Sequence, residues 1–265
     1  MNCNITSIGK TPISDGVGLY ASGNIHPRLD FGITQGLKVR KLGSDGLPSS
    51  TGKLVLLGCA GMSNARQEFG QFIKDAKAAI GQKSITFYNG NRGSWDITRI
   101  YSSWVEYKDW LLNGLSRSNI TTKQVQVLWV KNSVRGGGDL LGYLTPTIER
   151  LLDTFPNVKQ VFLSSAIYSG YSTSPARKEP DAYNEGLAVR QFVLNELGNP
   201  NVYISWGPYL WADGVEPRKD GLSWACSDFE TDGVHPDGTA EAKVSKLLLD
   251  FFANSEATTM WFKRV

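Results

Sequence analysis

Histidine and cysteine are scarce in this chain: two and three residues out of 265. Any mechanism that needs an imidazole must therefore use His26 or His235. Long apolar runs are absent. None approaches the roughly 20 residues that span a bilayer, so no membrane-spanning helix is expected. Charge of one sign is also lacking. The formal net charge is +3, and Lys and Arg nowhere cluster. Neither a nucleic acid nor an anionic membrane is therefore expected as a partner. The opening residues, MNCNITSIGK, lack a basic segment followed by an apolar one and are not read as a signal peptide. An intracellular protein and a secreted or periplasmic one whose leader has been removed both remain open. Nothing in the sequence sets an oligomeric state.

What is present is ordinary for a globular protein, with 41% apolar and 20% charged residues. Residues 1–52, rich in Gly, Ser, Asn and Pro, read as an irregular arm with short strands, packed on one domain that fills 1–265. From Lys53 short apolar runs alternate with amphipathic stretches. Strands are expected at 53–58, 84–89, 125–131, 158–165 and 201–206. Helices are expected at 64–80, 95–115, 140–155 (with a break at Pro146), 183–197 and 239–254. This alternation predicts an α/β fold with a parallel five-stranded sheet covered on both faces. Ligands of such sheets bind beyond the carboxyl ends of the strands.

Three strand ends and one late loop carry candidate chemistry. Ser63 follows a Gly-rich turn and opens a helix, which suits a nucleophile near free amides or an N-cap. Gly90 and Gly93, in NGNRGSW after the second strand, suit either an oxyanion site or a plain turn. Asn132, at the third strand's end, suits a ligand contact or a turn. In CSDFETDGVHPDGT (226–239), Asp232 and His235 stand three apart. The carboxylate can hold one ring nitrogen and leave the other free as a general base. If Ser63 and His235 meet, their loops bring Cys59 and Cys226 close. The cysteines, which lack metal-ligand spacing, are then either thiols or a Cys59–Cys226 disulfide, the latter favouring an extracellular setting.

Ser, Gly, Asn and D-x-x-H in this order, ending in DGVHPDGTAEAKVSKLLLDFF, resemble the SGNH (GDSL-like) hydrolase superfamily over residues 53–254. The segment W-A-D-G…P-R…D-G-L-x-W…C-S-D-F (211–229) is similar to a bacterial subgroup of it. The resemblance implies a three-layer, flavodoxin-like α/β/α sandwich and a serine esterase that needs no metal or organic cofactor. It also implies Ser63 as nucleophile, Asp232 and His235 as acid and base, and Gly93 and Asn132 as oxyanion-hole donors. Two motifs depart from the family: G-D-S-L is here G-M-S-N, and G-x-N-D is here V-K-N-S. The expected substrate is an acetyl or short acyl ester. Eight tryptophans and ten tyrosines, with Trp95, Trp206, Tyr209 and Trp211 near strand ends, suggest either platforms for a carbohydrate or rings of the core. The alternatives are a short-chain acyl or aryl esterase without sugar preference and a non-catalytic glycan-binding protein.

Overall fold

A computed structural model describes residues 1–4, 6–13, 28–81 and 85–263. Five parallel strands, β1 (Val55–Cys59), β2 (Thr86–Gly90), β3 (Val125–Val130), β4 (Gln160–Leu163) and β5 (Tyr203–Trp206), lie in the order β2-β1-β3-β4-β5. This is the flavodoxin-like order. Four strands are buried at every position, which explains why their sequences are continuous apolar runs rather than alternating ones. Only the edge strand β2 has partly exposed positions.

The helices are α1 (Leu29–Lys38), α2 (Ser63–Ile80), α3 (Ile97–Ser102), α4 (Trp104–Arg117), α5 (Leu140–Thr154), α6 (Asp181–Asn195), α7 (Gly238–Asn254) and α8 (Thr259–Phe262). With right-handed crossovers, α2 and α7 share one face of the sheet and α4, α5 and α6 cover the other. The fold is thus the expected three-layer α/β/α sandwich.

Three expectations need correction. The N-terminal arm contains a helix, α1. Its sequence, LDFGITQGLK, hides it because Gly32 and Gly36 weaken helix propensity. Both glycines are required by packing. A Cβ on Gly32 would lie 2.7 Å from the Tyr203 ring, and one on Gly36 would collide with the Ala257 carbonyl. Residues 14–27 of the arm, with His26, and Ser84 of the second expected strand lie outside the described residues. Second, the helix expected over 95–115 is two helices, α3 and α4, meeting at Ser103. Third, Pro146 does not break α5. It forgoes one backbone bond, but Leu140, Leu144, Ile148 and Leu151 stay buried along one face and hold the helix through it.

The 211–229 segment is a scaffold. Asp213 accepts from the N–H groups of Ile8 (2.7 Å) and Lys10 (2.8 Å) and so holds the N-terminal arm. Arg218, its side chain fully buried, donates to the carbonyls of Tyr209 (2.7 Å) and Trp211 (2.9 Å) and pairs with Asp220 at 2.6 Å. Cys226 is bonded to Cys3, with the Cα atoms 5.5 Å apart. The Cys59–Cys226 pairing is therefore wrong. Cys59 is a buried free thiol at the end of β1, and burial pushes its ionisation far up. It sits inside the sheet, whereas Cys226 lies on a surface loop within reach of the arm.

Candidate active site

At the carboxyl end of β1 the chain turns through Ala60, in a left-handed conformation (φ 54°), and enters α2. The Ala60 N–H donates to the Tyr107 hydroxyl (2.7 Å), which donates to the Gly90 carbonyl (2.9 Å). Ser63 is the first helical residue. The N-cap is Met62, with no side-chain cap bond, so the serine does not serve as a cap. Its hydroxyl instead lies 2.8 Å from His235 Nε2. The first-turn N–H groups of an 18-residue helix open beside it.

The loop before α7 closes by backbone bonds: Glu230 N–H to the His235 carbonyl and Gly233 N–H to the Glu230 carbonyl, both 2.8 Å. Asp232 Oδ1 accepts from the N–H groups of Val234 and His235 at 2.9 Å each. That leaves Oδ2 facing His235 Nδ1 at 2.5 Å. Burial pushes the Asp232 carboxyl up, but the two N–H groups and the imidazole outweigh it and hold it below the usual carboxylate range. Asp237 then caps α7 through the N–H groups of Thr239 and Ala240. Asn64, where the GDSL motif has Leu, donates to the Val234 carbonyl at 2.8 Å and ties the nucleophile's helix to this loop. Ser63, Asp232 and His235 are thus brought together as the sequence predicts, and the arrangement can carry a proton away from the serine.

Asn132 is buried at the end of β3. Its amide donates to the Ala60 carbonyl and its oxygen accepts from the Ser133 N–H (2.7 Å). One amide hydrogen is used, and an amide has two. Asn132 lines a recess with Ser63. Gly93 lines an open groove with Ser63 and His235. Neither conformation nor packing demands glycine at Gly93. Its φ is not left-handed, and a Cβ would find nothing within 4 Å. Gly90, the second candidate, would collide with Leu111 if given a Cβ and belongs to the core.

Behind the site lies a pair that sequence reasoning missed. Lys131 donates to both carboxylate oxygens of Glu68, one at 2.5 Å, with both side chains almost wholly buried. It clamps α2 to the end of β3 and so sets Ser63 relative to Asn132. The lysine closing the apolar run VQVLWVK was the available signal, because a buried ammonium needs a partner.

The aromatic platforms are also corrected. Trp95 is 2% exposed, Trp206 1%, and Tyr209 and Trp211 0%. These rings are core. Trp211 donates to Glu179 (2.8 Å), and the Arg92 and Arg99 guanidiniums lie 3.9 and 4.3 Å from the Trp95 ring centre. They offer no face to a sugar.

No protein-family model matches the chain, and no curated protein does. Several solved structures are similar. An acetyl xylan esterase, AlAXEase, aligns with a TM-score of 0.48 at 13% identity, covering 74% of this chain and 98% of its own. A GDSL-like lipase from Bacteroides thetaiotaomicron VPI-5482 aligns at 0.44 and 11%, covering 84% and 95%. A protein described as an acylhydrolase, from Bacteroides fragilis NCTC 9343, aligns at 0.48 and 12%, also covering 84% and 95%. At these identities the likeness concerns the course of the chain alone.

Proposed function

We propose that the protein is a serine esterase of the SGNH type, acting on acetyl or short acyl esters through an acyl-enzyme on Ser63. One observation carries this reading. A serine hydroxyl at the mouth of a helix N-terminus lies 2.8 Å from an imidazole whose other nitrogen lies 2.5 Å from a carboxylate. His235 Nε2 takes the Ser63 proton as Oγ attacks the ester carbonyl. The oxyanion lies within the first-turn N–H of Ser63, the Gly93 N–H and the second amide hydrogen of Asn132. His235 then passes its proton to the leaving alcohol. Water, deprotonated by His235, releases the acid and restores Ser63.

Burial of the four rings favours the reading without a built-in sugar preference over the carbohydrate one. A glycan-binding protein without chemistry would have no use for an imidazole held between a serine and a carboxylate. The Cys3–Cys226 bond supports a secreted or periplasmic setting. The test is p-nitrophenyl acetate hydrolysis by wild type and Ser63→Ala, with fluorophosphonate labelling of the wild type. Turnover that vanishes in Ser63→Ala, with label on Ser63 alone, is the expected result. Turnover that persists in the variant rejects the nucleophile.

A further inference from the structure

Two depressions meet at Ser63, and they differ. The open groove includes His235 and Gly93; the recess includes Asn132 but not His235. The leaving alcohol must sit where His235 can protonate it, so it occupies the His235 side. The acyl chain then enters the recess. Met62, Val134, Ala166 and Ile167 give its walls an apolar character.

The mouth of this recess is positive. Arg135, Arg177 and Lys178 line it, and none makes an ion pair or side-chain hydrogen bond among the described residues. Lys131, deeper in, is neutralised by Glu68. Two acids also line the recess, Asp181 and Glu185. Glu185 is buried and accepts the Val134 N–H at 2.9 Å. Burial pushes its carboxyl up to about 8, so near neutral pH it is largely uncharged and offsets little. Asp181 alone opposes three free cations. Cations left unpaired around a partly desolvated pocket suit a ligand that brings the anion.

We propose that the recess selects esters whose acyl chain ends in a carboxylate, that is, hemiesters of short dicarboxylic acids, with Arg135, Arg177 and Lys178 holding the distal carboxylate. This inference rests on the esterase reading and names its substrate class. The hydrolysis is the one given above. Ser63 forms the acyl bond, the alcohol leaves with the His235 proton, and water releases the dicarboxylic acid.

The experiment compares kcat/KM for monoethyl glutarate and its neutral isostere ethyl 4-carbamoylbutanoate, by acid release near pH 7 at low salt. The hemiester should be preferred by about tenfold or more, a preference that shrinks as salt rises to about 0.5 M and screens the mouth. In Arg135→Gln/Arg177→Gln the ratio should fall toward one, mainly through KM for the hemiester. Lys178→Gln, at an exposed position, gives a second and milder variant should the first fold poorly. A wild-type ratio near one, or a ratio unchanged in both variants, overturns the anion selection while the esterase stands on its neutral substrate. Turnover of neither ester also overturns it, and the p-nitrophenyl acetate and labelling assays then show whether the esterase reading falls as well.

Discussion

Asp232→Asn tests the proposed acid more sharply than deletion does. Oδ1 of Asp232 is pinned by the N–H groups of Val234 and His235 at 2.9 Å. In the variant only the amide oxygen can take that place, since an NH2 there would face two donors. The NH2 must then occupy the Oδ2 position, 2.5 Å from His235 Nδ1 in the wild type. It donates to Nδ1 and moves the ring proton to Nε2. A protonated Nε2 cannot accept the proton of Ser63. The same substitution costs about 10⁴ in a serine protease, where the carboxylate is buried. Here the Asp232 side chain is 45% exposed and the His235 side chain 28%. Water competes for both tautomers, so we expect a loss of about 10²–10³ in kcat, or roughly 2.7–4 kcal/mol. Asp232→Ala should lose less than Asp232→Asn, because a free ring samples both tautomers. The assay is kcat for p-nitrophenyl acetate, with Tm as the check on folding. An Asn variant as active as wild type, or more active than the Ala variant, refutes the argument.

Other expectations concern the oxyanion donors, the buried acid and the disulfide. Asn132→Ala should lower kcat by about 10²–10³ if its second amide hydrogen meets the oxyanion, and unchanged turnover in a folded variant excludes it. Gly93→Ala has open space for its methyl, so its Tm should match wild type. A fall in kcat would then report the substrate's approach, and an unaltered kcat would remove Gly93 from the hole. Glu185 is protonated in the fold up to about pH 8 but ionises near 4.5 when unfolded. The stability this supplies is complete below about 4.5 and is lost as pH rises through about 8, at up to about 1.4 kcal/mol per pH unit. Glu185→Gln keeps an acceptor for Val134, so the stability of wild type relative to this variant should decline between about pH 5 and 8; a difference flat with pH counts against it. Reducing Cys3–Cys226, which spans 223 residues, should cost about 2–5 kcal/mol by denaturant titration. The unreduced native protein should show no DTNB-reactive thiol, since Cys59 is buried; rapid labelling would contradict the pairing.

The sheet and the Asp232–His235 pair were legible because their signals are local, and Ser63, distant in the chain, joined that pair through the family resemblance. Buried parallel strands are short apolar runs, and D-x-x-H fits in one turn of loop. Features joining distant segments were not legible. Cys226 finds Cys3 in an arm that Asp213 holds through Ile8 and Lys10, and no spacing in the sequence encodes that pairing. Helix α1 was hidden by the two glycines that let it lie on Tyr203 and Ala257. The aromatic surplus misled because strand ends are also where rings fill the layers. Glu185 lies on the inner side of α6, and the role of a carboxyl there shows only when its neighbours do.

The Lys131–Glu68 clamp constrains how this sequence can change. Either residue replaced alone leaves an uncompensated charge in the core, at about 3–5 kcal/mol, whereas replacing both with well-packed apolar side chains is often neutral or stabilising. Between the ionic and the apolar form of this joint lies a valley that one-at-a-time substitution does not cross. A mutational scan would score both positions as immutable, and a library stepping through single variants would never reach the apolar pair. Only simultaneous randomisation of positions 68 and 131 samples both sides. The clamp thus makes two residues, far apart in the chain, a single heritable unit.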